Sequence, residues 1–354
     1  MMIRTLIAAA ALPLTALSAS AFAQERSIEW SIERAARIPA GDRVQLTIER
    51  RSGRDHSVWS NNYPVTDLQG LSMAQVTGPR RPVRFALVRD AGRLDCGGEL
   101  GGQSGRGTCS FTPDAGFAAY LQVRGIGRPN EREAFTLAMS RVNRDLVDAM
   151  QSIGYTRPTV SQLTSMAVHG VAADYVRGLA SSGYRLKSAD DLVKFKIHGV
   201  TLDYIRELAA ISPEFRQIPA DDLVSLRIHG VRPDYVREMA AMGPEFRNVT
   251  PADLVAYRIH GAKPEMVRAY ARIGDGKLRR DDVTSMAIHG VNAQFIDGLA
   301  ALGYRGISAA DLVRMRIHGV TPEYIRSLQQ EGMVRLSADQ IVRLRIAGYR
   351  PRGR

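Results

Sequence analysis

Six of the seven histidines, His169, His198, His229, His260, His289 and His318, stand in one recurring setting, each between a β-branched apolar residue and a glycine. Imidazole is a common zinc ligand and titrates near neutrality, so a column of histidines could hold metal or sense protons. Zinc needs its ligands within about 2 Å, whereas neighbouring packed helices lie roughly 8–10 Å apart. No acid or cysteine recurs beside each histidine to complete a site within one copy. The setting instead predicts a helix C-terminus, where glycine ends the helix and the imidazole meets free carbonyls and the negative end of the dipole. An acid-responsive stack is the alternative.

The two cysteines carry different chemistry. Leu94, Cys96, Gly98 and Leu100 share one parity, and Gly107, Cys109 and Phe111 share the inward parity of a strand returning after a glycine-rich turn. Such a hairpin predicts a Cys96–Cys109 disulfide, which would contribute about 3 kcal/mol for a loop of this size. The spacing is not that of a redox Cys-x-x-Cys pair.

Catalytic patterns are absent from the sequence. There is no Gly-x-Ser-x-Gly elbow and no His-Glu-x-x-His, and Asp55, His56 and Ser57 form a polar cluster without a positioned nucleophile. Neither Gly101-Gly102-Gln103-Ser104-Gly105 nor Gly274-Asp275-Gly276-Lys277 continues into the Gly-Lys-Ser/Thr of a phosphate loop. Nothing selects a carboxylate pair for glycoside hydrolysis. No catalytic, cofactor-binding or metal-ligating residue is therefore assigned, and the chain is read as noncatalytic; an envelope hydrolase with an unidentified site is the least favoured reading.

The histidine setting belongs to a repeat. Ile197-His198-Gly199-Val200 recurs with its last residue at 171, 200, 231, 262, 291 and 320, decays to Ile346-Ala347-Gly348-Tyr349, and has a relic ending at Val142. The spacings of 29, 29, 31, 31, 29, 29 and 29 residues predict stacked structural units. Each unit reads as two short helices. Thr321-Pro322 begins one, Gly332 ends it, and Ser188, Ser308 and Ser337 open others with an acid or glutamine three residues on. Helices of about 8–11 residues are marginal alone, so neighbouring units must complete their burial. Leu312, Met315 and Ile317 are expected to face the partner helix.

Three further columns run through the units. Tyr175, Tyr204, Tyr235, Phe295 and Tyr324, with Leu146 and Met266 in two copies, predict a buried wedge between helices. Lys196, Arg227, Arg258, Arg316 and Arg345 precede the histidine position by two residues, interrupted by Ala167 and Ala287. A second basic column, Arg177, Arg206, Arg237, Arg268 and Arg326, broken by Asp297, is the candidate binding face for an acidic protein surface or an anionic polymer. Ordinary matching of charge to helix dipoles is its plainer explanation.

Before the repeats, residues 24–112 read as an antiparallel β domain. Ile28, Trp30 and Ile32, then Val44, Leu46 and Ile48, then Val83, Phe85 and Leu87 alternate with polar neighbours. Gly41-Asp42 and Asp90-Ala91-Gly92 are expected turns, and Ser52 to Arg81 is expected to be loop with at most one short strand or turn. The helical region, 113–354, begins with a capping helix that carries Phe117, Tyr120 and Leu121. Residues 1–23, a basic start, an apolar run and Ala21-Phe22-Ala23, read as a signal peptide. They predict a periplasmic or secreted protein without a later transmembrane segment. The net charge of +12 favours anionic partners, while export and the low aromatic content of 6% argue against nucleic acid.

The Ile-His-Gly-Val, Pro-Glu-Tyr and Asp-Leu-Val segments resemble the extracytoplasmic repeats that follow the membrane metallopeptidase module in bacterial sensors of the beta-lactam-sensing type. Arg89-Asp90-Ala91-Gly92 and Gly105-Arg106-Gly107-Thr108-Cys109-Ser110-Phe111 resemble the small β domain that precedes such repeats. The resemblance implies an envelope module for binding or signalling and brings no catalytic residue, because the protease motif is absent. The expectation is an α+β protein: a small antiparallel β domain, then an α-solenoid of short helical hairpins. Its expected role is an exported scaffold or regulatory module that binds an envelope protein, with an anionic envelope polymer as the alternative ligand.

Overall fold

Alternating apolar residues make two-faced strands, and in the computed structural model of the chain they pair into one seven-stranded sheet. The structure describes residues 27–33, 42–52 and 55–351. The predicted signal peptide and Gly41 of one expected turn lie outside these residues. The described residues divide into two compact units: those from Ser27 to Thr112 apart from Arg89–Ala91, and the remaining described residues.

The strands are β1 (Ser27–Glu33), β2 (Arg43–Ser52), β3 (Asp55–Pro64), β4 (Leu68–Gln69), β5 (Arg81–Arg89), β6 (Gly92–Gly101) and β7 (Ser104–Pro113), in the order β3-β2-β1-β7-β6-β5-β4. Strand β1 lies between β2 and β7, with Trp30 opposite Ile48 on one side and Gly107 on the other. Trp30, Ile32, Val44, Leu46, Ile48, Phe85 and Leu94 are buried on one face. Trp30 explains the glycines opposite it. A Cβ on Gly98 or Gly107 would come within 2.8 or 2.7 Å of the indole, whose Nε1 donates to the Gly97 carbonyl at 3.1 Å. The Cys96–Cys109 disulfide joins β6 to β7.

The stretch from Ser52 to Arg81 departs from expectation. It holds the ten-residue strand β3, a 3-10 turn at Val65–Asp67, β4 and a short helix α1 (Met73–Thr77). Strand β3 lies at the edge of the sheet beside β2, and among its residues only Tyr63 is fully buried, so it lacks the alternation that marks a strand. Asp55, His56 and Ser57 belong to this strand rather than to a loop.

In the second unit α2 (Ala115–Val123) precedes the hairpins and buries Phe117 and Leu121. The first helix of successive hairpins is α3 (Glu131–Met139), α5 (Val160–Val168), α7 (Ala189–Ile197), α9 (Ala220–Ile228), α12 (Pro251–Ile259), α14 (Arg280–Ile288), α16 (Ala309–Ile317) and α18 (Ala338–Ile346). The second is α4 (Arg144–Ile153), α6 (Ala173–Ser181), α8 (Leu202–Ala209), α10 (Pro233–Ala240), α13 (Pro264–Ile273), α15 (Ala293–Ala301) and α17 (Pro322–Gln330). First helices pack on first helices of neighbouring units and second on second, giving two layers. The two 31-residue spacings have a local cause. An extra turn, Pro213–Gln217 in one unit and α11 (Pro244–Arg247) in the next, follows the second helix and buries Phe215 or Phe246.

The Ile-His-Gly-Val segment closes each first helix. Around His198 the Gly199 N–H donates to the Lys196 carbonyl at 3.1 Å and the Val200 N–H to the Phe195 carbonyl at 2.8 Å, the double bond of a Schellman end. Gly199 has φ +68°, the left-handed conformation that admits glycine cheaply. The valine then buries itself while histidine occupies the cap, so backbone geometry accounts for two of the four residues. At the other end Ser188, Ser308 and Ser337 accept from the third helical N–H, and Thr321 caps α17 through the Tyr324 N–H at 3.2 Å.

Candidate functional site

The aromatic column is buried, as its bulk predicts, and it is joined to the first basic column across every junction that contains it. Tyr175, Tyr204, Phe295 and Tyr324 are buried and Tyr235 is half-buried. The cation of the following unit lies over each ring: Lys196 over Tyr175 at 4.6 Å, Arg227 over Tyr204 at 4.8 Å, Arg258 over Tyr235 at 5.3 Å, Arg316 over Phe295 at 5.1 Å and Arg345 over Tyr324 at 4.8 Å. Each phenol donates into the next unit's glycine turn. Tyr204 reaches the Val231 carbonyl at 2.9 Å, Tyr235 that of Ala262 at 3.0 Å, and Tyr324 that of Tyr349 at 3.1 Å.

The two interruptions of each column coincide. Leu146 faces the junction where the cation is replaced by Ala167, and Met266 the junction with Ala287. Cation and ring are thus present together or absent together at all seven junctions, which identifies them as a single clamp between units. Arg227 also donates from Nε to the His198 carbonyl at 3.3 Å, tying the clamp to the exposed carbonyls of α7. The first basic column is therefore occupied in holding the stack. Burial pushes the Tyr204 and Tyr235 phenols up to about 12, partly opposed by the nearby guanidinium.

The second basic column, Arg177, Arg206, Arg237, Arg268 and Arg326, is exposed along the layer of second helices. Arg177 pairs with Asp145 of the preceding unit, whose carboxyl is held low by that bond, and lies 3.8 Å from Asp174. Arg206 pairs with Asp203, Arg237 with Asp234 at 2.7 Å, and Arg268 with Glu238 at 3.0 Å and Glu265 at 3.6 Å. Arg326 lies in the field of Glu323. The column is a ribbon of alternating charge.

A third surface was not singled out from sequence. Ile317, expected against the partner helix, is exposed, as are its counterparts Val168, Ile197, Ile228, Ile259, Ile288 and Ile346; all seven are 53–62% accessible. The reason is phase. Met315 and Leu312 fill the inward positions of α16, and the last helical residue turns outward just before the cap. The adjacent imidazoles bond to none of the described groups, rather than to free carbonyls as expected, and five of the six are exposed. An isoleucine–histidine ridge consequently runs along one end of the first-helix layer. The two end units depart from it: the first has buried Met139 and then Ser140 in the isoleucine and histidine positions, and the last has Ala347 in place of the histidine.

A cavity of about 590 Å³ opens between α8 and α10, where the two extra turns fall. Among the described residues no cluster of three or more histidine, cysteine or acidic side chains could hold a metal ion. None of the described helices is long and apolar enough to cross a membrane. No protein-family profile, curated protein or solved structure matches the chain.

Proposed function

We propose that the protein is an exported, noncatalytic scaffold of the bacterial cell envelope that binds a partner protein along the isoleucine–histidine ridge. The observation that carries this reading is the combination of exposure and identity. Glycine and valine of the motif have backbone and burial reasons to persist, whereas isoleucine and histidine, with all but His198 solvent-facing, recur together in five consecutive units, with valine in place of isoleucine in the unit before them. The exposed position just after the motif drifts between copies instead: alanine, threonine, arginine, lysine, asparagine and threonine in turn. A row of exposed aliphatic side chains backed by rigid helix ends suits a protein surface, and contiguous apolar exposure is a mark of such contacts. The resemblance to sensor repeats and the N-terminal segment support an extracytoplasmic setting. The acids paired with the second arginine column weaken the case for an anionic polymer.

In-cell crosslinking of the tagged protein tests the reading, with Ile228→Glu/Ile259→Glu and Arg206→Glu/Arg237→Glu/Arg268→Glu compared with the wild type. Recovery of one envelope protein, lost in the isoleucine variant and kept in the arginine variant, is the expected result. Recovery of lipopolysaccharide or wall fragments, lost in the arginine variant, would replace the protein partner with a polymer.

A further inference from the structure

We propose that the groove between α8 and α10 binds a short peptide segment carrying one positive and one negative side chain. In repeat proteins, insertions gather where ligands are met, and this chain places its only two departures from the 29-residue period in consecutive units. The extra turns they create, at Pro213–Gln217 and Pro244–Arg247, both contribute residues to one cavity.

The next groove along the same layer serves as an internal control. There Arg268 reaches back to Glu238 at 3.0 Å and bridges α13 to α10. The equivalent pair one unit earlier is Arg237 and Glu207, and this bridge is open: Arg237 turns to Asp234 of its own helix at 2.7 Å. Glu207 is left with no ion-pair partner among the described residues, and so is Arg247, supplied by the second extra turn. Glu214, a second acid at the rim, is engaged by the Ser212 hydroxyl, which holds its carboxyl below the usual range.

The groove thus presents one uncommitted carboxylate and one uncommitted guanidinium, not paired with each other, in a lining that also includes Ala210, Ile211 and Ala240. The small Ala210, Ala240 and Ala241 in the lining let a backbone approach closely, and the volume lies within the roughly 300–1,000 Å³ of ligand sites. Unpaired charges of both signs in one groove suit a ligand with the converse pair, a basic group for Glu207 and a carboxylate for Arg247. An open groove between helices suits an extended segment that enters and leaves.

The proposal does not rest on the ridge, which lies on the layer of first helices. Its test is selection of a displayed random heptapeptide library on the immobilised full chain, repeated with Glu207→Gln, Arg247→Gln and, as a folded control in the closed groove, Glu238→Gln. The wild type and Glu238→Gln should enrich sequences carrying both a basic and an acidic residue. Glu207→Gln should lose the preference for the basic residue and Arg247→Gln that for the acidic one, and a synthetic copy of an enriched peptide should bind each at least tenfold more weakly. No enrichment with the wild type, or the same enrichment in both substituted proteins, overturns the proposal whatever the crosslinking result.

Discussion

Tyr204 and Arg227 concentrate the physics of the stack in two side chains. The ring fills the space between helices, the phenol satisfies a carbonyl of the next unit, and the guanidinium covers the ring while bonding the preceding helix end. Tyr204→Ala should cost about 3–5 kcal/mol, the range for deleting a buried aromatic. Tyr204→Phe should cost about 1 kcal/mol for the hydrogen bond alone. A double-mutant cycle in denaturant between Tyr204→Leu and Arg227→Ala should give a coupling of about 0.5–2 kcal/mol. Additive losses would mean that the two columns coincide without interacting. Both columns and their interruptions are visible in the sequence, but only stacking distance shows that residues 21 or 23 apart meet.

The same tyrosines set an alkaline limit. The Tyr204 and Tyr235 phenols have folded pKa values of about 12, above the value near 10 of an unfolded chain, so the folded state holds their protons more tightly. Their contribution is fully present below pH 10 and is lost as pH rises towards 12. Denaturation midpoints measured across that interval should fall, and the Tyr204→Phe/Tyr235→Phe protein should lose less over the same range. Parallel curves for the two proteins would exclude this origin.

At the scale of the element, the glycine turn offers its own control. Gly199 and Gly261 share the left-handed conformation, with φ +68° and +72°. A Cβ on Gly199 would lie 2.8 Å from the Arg227 guanidinium, whereas one on Gly261, at a junction where Ala287 replaces the cation, would meet nothing within 4 Å. Gly261→Ala should therefore cost only the backbone strain, about 1–2 kcal/mol, and Gly199→Ala more, because it also displaces the clamp. Equal losses in urea would place the cation elsewhere in solution.

Caps and glycine ends were legible because they use local chemistry: Ser188, Thr321 and Gly332 act within a few residues of themselves. Strand β3 was not, because an edge strand with polar residues on both faces carries no alternation. The extra turns were legible only as a change of spacing. Their placement around a cavity, and the open Arg237–Glu207 bridge beside it, depend on packing between units.

For the whole molecule, the β unit and the helical stack answer to different terms. Reducing Cys96–Cys109 removes a constraint on a short loop worth about 3 kcal/mol and should lower the stability of the β unit. Thermal scans that resolve two transitions should show the stack's transition unchanged. The stack is held by repeated junctions, each with buried apolar side chains and five of the seven with a ring–cation clamp, while its outward residues divide into a charge-paired arginine ribbon and an aliphatic–imidazole ridge. Only the ridge keeps its residue types without a folding reason.

The most direct test is therefore a comparison of unfolding free energies. Ile197→Thr/Ile228→Thr/Ile259→Thr, three changes on the ridge, should cost less in total than the single change Leu226→Ala at a fully buried position in α9, for which about 2–5 kcal/mol is expected. A ridge variant that keeps its stability supports conservation of these residues for an outside partner. A triple variant that loses more than Leu226→Ala would show that the isoleucines serve the fold and contradict the account.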